Sequence, residues 1–174
     1  PTASDNTVRT DEDQDYVLGR SDFGYSDIEN DAFASVVITS VPGSGTLFLD
    51  DDGNGIADLP SEEVVLNDVI TATKLTNGQL IFSPDANDNG TGYVSFDFNV
   101  SDGSTSSILD NTITIDVTPV NDAPTFSNSG DVIENEDFTG TRTVTVNSTQ
   151  PANESGQTVT YSLSPNASTI SFAS

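Results

Sequence analysis

The chain of 174 residues contains no cysteine, methionine, tryptophan or histidine. Without cysteine it has neither a disulfide bond nor a thiolate site, so the usual crosslink of small secreted domains is missing and a bound metal would be a useful substitute. Without histidine it lacks the commonest general base and transition-metal ligand, and the imidazole on which serine-type triads rely. These absences argue against an enzyme.

Positive charge is also scarce. Four Lys and Arg residues stand against 28 Asp and Glu residues, which gives a formal net charge of -24. The cations are scattered singly, so neither nucleic acid nor an anionic membrane surface is an expected partner. So large a charge repels itself unless cations neutralise it, and the acids cluster at turns, which favours a protein that meets abundant metal. The alternative is an acidic surface that serves solubility alone.

Long apolar runs are absent as well. No segment approaches transmembrane length, so direct membrane insertion is not expected. The sequence opens on Pro1 and Thr2 without a charged-then-apolar leader, so any export signal would lie outside it. Pairs of carboxylates, as glycosidases use, arise by chance among 28 acids, and without tryptophan the usual sugar-stacking platform is missing.

Short strand patterns separated by Gly, Asp, Asn and Ser turns dominate what is present. The clearest is residues 93–100, where Val94, Phe96, Phe98 and Val100 alternate with polar residues. Other strands are predicted at residues 36–39, 46–49, 80–82, 113–117, 144–146, 159–163 and 170–172. The turn at 42–45 predicts a hairpin or a corner, and 68–75 a loop or one helical turn. Together these patterns predict an all-β, antiparallel β-sandwich.

An internal repeat sets the expected domain boundaries. The segment 121–125 is followed after about ten residues by the acidic run 134–137, and Pro1-Thr2 is followed at a similar offset by 11–13. Pro1 and Pro124 therefore mark equivalent starts, with one unit over 1–123 and a second, incomplete unit over 124–174.

Four segments carry a family resemblance: 22–27, 84–92, 101–103 and 118–124. Together they resemble the bacterial cadherin-like tandem repeats of RTX-type surface adhesins and related large extracellular proteins. The resemblance implies a Greek-key, cadherin- or Ig-like β-sandwich, secreted or held at a bacterial cell surface, with adjacent repeats as partners.

The same resemblance implies calcium at the junctions between repeats. One junction would use Glu12, Asn121 and Asp122, although the second-unit loop that usually supplies two aspartates reads Asn-Glu-Ser at 153–155. The other would use the residues Asp27, Glu29, Asp31 and Asp102, facing a preceding repeat. Independently of any family, alternating carboxylates in a turn can aim several oxygens at one cation. The alternative is a solvated acidic turn.

A second calcium signal lies within the first unit. Residues 50–58 match the first nine positions of an EF-hand-type loop, without flanking helices. The expected ligands are the side chains of Asp50, Asp52, Asn54 and Asp58 and the carbonyl of Ile56, with Gly55 at the sharp turn. The twelfth position is Ser61 rather than glutamate, but Glu62 and Glu63 are adjacent and one of them can reach in. The alternative is an unliganded Asp-Gly hairpin turn.

The sequence thus favours a calcium-binding extracellular structural or adhesion module that rigidifies and extends a repeat protein. Two alternatives stay open. The incomplete second unit has open sheet edges through which copies of the chain could assemble into a filament by strand complementation. Exposed tyrosines such as Tyr16, Tyr25 and Tyr161 could instead serve calcium-dependent binding of surface glycans, although each can equally be an ordinary sandwich residue.

Overall fold

The computed structural model describes residues 1–129, 139–140 and 143–160. The chain divides into two compact units, Pro1–Val120 and Asn121–Ser174, whereas the repeat phasing places the boundary after residue 123. Strands are the main regular secondary structure of the described residues, whose helical content is one short α-helix and two 3-10 turns, so the described part of the chain is all-β as predicted. Nowhere in this part of the chain does a helix have the length and apolar character needed to cross a membrane.

The first unit contains eight strands in two sheets. In chain order they are β1 (Asn6–Asp11), β2 (Tyr16–Val17), β3 (Ser35–Ile38), β4 (Thr46–Leu49), β5 (Val69–Thr71), β6 (Leu80–Ser83), β7 (Gly90–Ser101) and β8 (Asn111–Thr118). One sheet has the order β1-β8-β7-β3-β5 and the other β2-β6-β4. The helical segments of this unit are a 3-10 turn, Arg20–Phe23, and helix α1, Ala72–Thr76.

Both sheets contribute to one hydrophobic core. The prediction for β7 is confirmed, because Val94, Phe96, Phe98 and Val100 are all buried. The strands predicted at 80–82 and 113–117 are confirmed in the same way. From the other sheet and its connections the core receives Leu18, Phe23, Leu47, Leu80 and Phe82. Alternation with a period of two therefore located β7 and β8 correctly, and a short apolar run located β6.

The antiparallel prediction is wrong for one strand pair. β1 runs parallel to β8, with Val8 opposite Ile115 and Arg9 opposite Asp116. These are the first and last strands of the unit, so the whole intervening chain serves as the long crossover that parallel pairing needs. An ion pair of 3.0 Å between Arg9 and Asp116 joins the two strands.

Asp116 also departs from the predicted alternation, because it is buried although its position predicts a solvent-facing residue. Besides the ion pair with Arg9, its carboxylate accepts a hydrogen bond of 2.7 Å from the N–H of Gly92. Gly92 lies at an irregularity in the β7–β8 pairing and has a φ of 60°, a conformation that favours glycine. These contacts hold the pKa of Asp116 below its usual value, with the Gly92 N–H as the main cause.

Two ambiguous segments are resolved by the structure. β3 and β4 belong to different sheets, so the turn at 42–45 is a corner rather than a hairpin. Residues 69–76 form strand β5 and helix α1, where a loop or one helical turn was expected. The hydroxyl of Thr71 accepts a hydrogen bond from the Lys74 N–H and so caps this helix.

The described part of the second unit contains an antiparallel pair, β9 (Thr125–Asn128) and β10 (Val146–Thr149), and a 3-10 turn, Ala152–Glu154. Val146 begins a strand as predicted, but Val144 and Val159 lie outside strands. The other residues of the strands expected at 159–163 and 170–172, and the acidic run 134–137, lie outside the described residues.

Candidate metal centre

The EF-hand-like segment forms a loop whose two ends are fixed to the sheet. After β4 the chain leaves the sheet at Asp50 and returns beside the same strand, where Leu49 N–H donates to the Glu62 carbonyl at 2.8 Å and Val64 N–H to the Leu47 carbonyl at 3.0 Å. Val64 is buried in the core, which anchors the returning chain. Residues 50–61 therefore form a closed loop on a rigid base.

Three carboxylates meet inside this loop. Asp50, Asp52 and Glu62 each place one oxygen within 4.8 Å of the other two. In the part of the chain that the structure describes, this is the one group of three such side chains close enough to hold a metal ion. Of the two glutamates next to Ser61, Glu62 is the one whose carboxylate lies in the cluster. Glu63 is exposed and is not part of the cluster.

Asp50 organises the loop through its buried carboxylate. One oxygen accepts hydrogen bonds from the N–H groups of Gly53 at 2.8 Å and Asn54 at 3.0 Å, and the other from Gly55 at 3.1 Å. Gly53 and Gly55 have φ angles of 78° and 73°, so glycine at both positions lets the backbone wrap around the carboxylate without strain.

The remaining predicted ligands lie at the edge of the cluster. The Asn54 amide donates to Asp52 at 2.9 Å and to Asp58 at 3.1 Å, and its oxygen accepts from the Ile56 N–H at 2.6 Å. Glu62 accepts from the Asp58 N–H at 3.1 Å with one oxygen. Asn54 and Asp58 are thus tied to the cluster by hydrogen bonds, and Ile56 contacts it through the Asn54 amide.

Two residues that the sequence analysis did not single out hold the loop from the side. Lys74 on α1 forms an ion pair of 2.9 Å with Asp51, which lies between the two aspartates of the cluster in sequence. Gln79 accepts from the Asp50 N–H at 2.8 Å with its carbonyl, and its side chain donates to the Asp50 carbonyl at 3.2 Å. No local motif marks these residues, because their role depends on tertiary contacts more than twenty residues apart in sequence.

Two of the acids predicted to face a preceding repeat, Asp27 and Asp102, bind nearby backbone N–H groups instead of converging as the loop carboxylates do. Asp27 turns one oxygen back to the N–H groups of Glu29 at 2.8 Å and Asp31 at 3.0 Å, and the other lies 3.0 Å from the Pro1 amine. These contacts lower the pKa of Asp27, with the Asp31 N–H as the first cause. Glu29 and Asp31 are exposed.

Asp102 likewise accepts from nearby backbone, at 2.7 Å from Thr105 and 2.6 Å from Ser104, and the same bonds lower its pKa. The four acids Asp27, Glu29, Asp31 and Asp102 are not gathered into a three-carboxylate group among the described residues. Their assignment to calcium stays a prediction.

Glu12 is buried in the first unit. Its carboxylate accepts from the Val120 N–H at 2.5 Å and from the Asn89 amide at 2.8 Å, while its own N–H donates to the Thr118 carbonyl at 2.9 Å. It therefore joins the end of β1 to the end of β8 and to the loop before β7. Its predicted role as a calcium ligand is untested.

Asn121 and Asp122 belong to the second unit. There the Asp122 N–H donates to the carboxylate of Glu154 at 2.8 Å, and the Asn121 side chain lies 3.3 Å from the Asp122 carbonyl. Glu154 is buried, although the sequence analysis treated the segment 153–155 as a weakened half-site. The calcium assignment of Asn121 and Asp122 stays a prediction.

The tyrosines considered for glycan binding are partly packed. Tyr25 lies with its ring centroid 5.0 Å from that of Phe33 and donates its hydroxyl to the Asp31 carbonyl at 2.8 Å. Tyr16 packs against the core. Tyr161 lies outside the described residues.

Comparison of the chain with models of known protein families, with curated proteins and with solved structures finds no match. The carboxylate cluster and the residue patterns are therefore the basis for a functional proposal.

Proposed function

We propose that this chain is a calcium-binding structural module of an extracellular repeat protein, and that the ion is held by the loop after β4. The observation that carries the proposal is the convergence of Asp50, Asp52 and Glu62 within 4.8 Å. A cation at this point would neutralise three carboxylates that otherwise repel one another.

Calcium fits the donor set better than other metals. The chain has no histidine or cysteine, and carboxylate, amide and carbonyl oxygens are ligands for hard cations. Calcium takes six to eight such oxygens with tolerant geometry, whereas magnesium demands a near-ideal octahedron and keeps several waters. Asp58 and the Ile56 carbonyl are close enough in sequence to supplement the three carboxylates, whereas Asn54 turns its NH2 group toward Asp52 and Asp58 and would supply an oxygen only after its amide turns over.

The architecture and location belong to the same proposal. A five-stranded and a three-stranded sheet sharing one core, with the first strand parallel to the last, support a cadherin-like Greek-key sandwich used as a repeat. Extracellular calcium modules bind in the range of about 10⁻⁴ to 10⁻³ M, so occupancy would be natural outside cells. Such a module would stiffen and extend a secreted or surface protein, with adjacent repeats as its partners.

Isothermal titration calorimetry with calcium, after chelation and buffer exchange, tests this proposal. We expect the wild-type chain to show a binding event that the double variant Asp52→Asn/Glu62→Gln loses. The control is Asp15→Asn, which removes a carboxylate from an exposed residue that lies outside the cluster. A magnesium titration should give a weaker response. Absence of binding in the wild type, or equal binding in the double variant, would show that the loop is not a calcium site.

A further inference from the structure

We propose that Asn54-Gly55 is a self-modification site, at which the loop converts the asparagine into aspartate or isoaspartate. The reaction is intramolecular succinimide formation, in which the peptide nitrogen of Gly55 attacks the side-chain amide carbon of Asn54. The contacts around these two residues place a carboxylate at the attacking nitrogen and an N–H at the oxygen that gains charge.

The nucleophile is paired with a carboxylate. The Gly55 nitrogen must lose its proton to attack, and its N–H already donates to the buried Asp50 carboxylate at 3.1 Å. A positioned carboxylate at hydrogen-bond distance from the proton to be removed has the geometry of a general base. Because Gly55 has no Cβ, no side chain hinders the approach of its nitrogen to the amide carbon.

The electrophile is polarised by the next residue. The Asn54 Oδ1 atom accepts the Ile56 N–H at 2.6 Å, so a donor already faces the oxygen on which negative charge develops in the tetrahedral intermediate. The Asn54 Nδ2 atom, which leaves, donates to Asp52 at 2.9 Å and to Asp58 at 3.1 Å. These contacts fix the amide, since its donor end faces carboxylates and its acceptor end faces an N–H.

The step balances with water as the only co-reactant. The Gly55 N–Cγ bond forms as the proton passes to Asp50, and the Cγ–Nδ2 bond breaks as the departing nitrogen takes up that proton from Asp50 through solvent water, so ammonia is released. Water then opens the five-membered ring at either carbonyl, which yields aspartate or isoaspartate at position 54. Neither route changes any oxidation state.

The chain contains two matched controls, because Asn77-Gly78 and Asn89-Gly90 have the same dipeptide. The Gly78 N–H donates to the Leu75 carbonyl at 3.2 Å, which cannot take up the proton. Gly90 is the first residue of β7 and pairs with Val117 of β8, so its peptide nitrogen lies within the sheet rather than in an open loop. The structure therefore assigns fast modification to Asn54 and slow modification to the other two.

Calcium would suppress the reaction, and this step alone rests on the proposed function. A bound ion would occupy the carboxylate of Asp50, so the base would be lost. The loop would therefore modify itself mainly when it is empty. An aspartate product keeps a ligand oxygen and adds a charge, whereas isoaspartate lengthens the backbone inside the loop and would displace its neighbours from the ion.

The test is a time course of peptide mapping by mass spectrometry on the folded chain with chelator, with saturating calcium, and in urea. In chelator we expect Asn54 to react about a hundredfold faster than Asn77, the lower end of what a positioned base contributes. In urea the two rates should converge, because each asparagine precedes glycine. Equal rates in the folded chain, or a ratio that survives in urea, would overturn the proposal.

The calcium arm separates this inference from the function. If calorimetry detects no calcium binding, the Asn54 and Asn77 rates measured in chelator still test the modification proposal, because that comparison does not depend on calcium. If calcium binds but leaves the Asn54 rate unchanged, the protection step is wrong. An Asp50→Asn variant should slow Asn54 and leave Asn77 unaffected, and circular dichroism verifies that the variant is folded.

Discussion

Calcium should raise the thermal stability of the first unit, and the structure gives the size of the effect. The oxygens of Asp50, Asp52 and Glu62 lie within 4.8 Å of one another. At this separation two charges in water repel by about 1 kcal/mol, so three pairs amount to roughly 3 kcal/mol that a cation would relieve.

Binding linkage sets the stabilisation expected at a given excess of calcium over its Kd. A ligand present at about ten to a hundred times its Kd stabilises the folded state by roughly 1.4 to 2.7 kcal/mol. For a unit of this size that corresponds to a rise in Tm of roughly 5 to 10 °C.

Differential scanning calorimetry with chelator, and then with calcium at about 10 mM, would measure this shift, since extracellular modules bind with Kd values of about 10⁻⁴ to 10⁻³ M. The Asp52→Asn/Glu62→Gln variant should have a Tm that calcium leaves unchanged, while Asp15→Asn should respond like the wild type. Replacing calcium by the same ionic strength of sodium chloride controls for general screening of the net charge of -24. The reasoning is refuted if calcium leaves the wild-type Tm unchanged, or if sodium produces the same rise.

Two further predictions concern the first unit without metal. Phe98→Ala removes a fully buried ring whose centroid lies 4.9 Å from that of Phe23, and should cost about 3 to 5 kcal/mol in urea unfolding. Val69→Ala, at a residue 60% exposed, should stay within about 0.5 kcal/mol of the wild type. Asp116→Asn should destabilise at neutral pH. Because folding lowers the pKa of Asp116, its contribution is present above the ordinary value of 3.8 and is lost as pH falls through the lower folded pKa. Unfolding curves at several pH values should therefore converge in acid, and a constant difference would contradict this.

The central strands could be predicted because one physical rule determines them. In β7 and β8 every second residue is apolar, and burial of one sheet face selects that period. β1 was not predicted because Val8 is the one buried apolar residue in Asn6–Asp11, so this strand shows no alternating apolar pattern. Its place depends on backbone pairing with β8 and on the Arg9–Asp116 ion pair, and neither leaves a local pattern.

The candidate site also has one part that the sequence could predict and one part that it could not. The spacing of Asp50, Asp52 and Asn54 predicted a loop around a cation because a short glycine-rich turn makes nearby oxygens converge. The choice of Glu62 over Glu63 depends on the register of the returning chain, which the backbone bond between Leu49 and Glu62 sets. That bond is a tertiary contact, so the sequence could narrow the choice to two residues but not decide it.

The hydrogen bonds inside the loop limit how much a bound metal ion can stabilise the loop. Asp50 is already satisfied by three backbone N–H groups, and the base of the loop is held by bonds of 2.8 and 3.0 Å. The loop therefore has its shape before any ion binds, and little conformational entropy remains to be lost on binding. What a cation changes is the charge at Asp52 and Glu62. Removal of metal should then weaken the loop through repulsion without unfolding its base, which is why a moderate shift in Tm, rather than loss of the fold, is the expected signature.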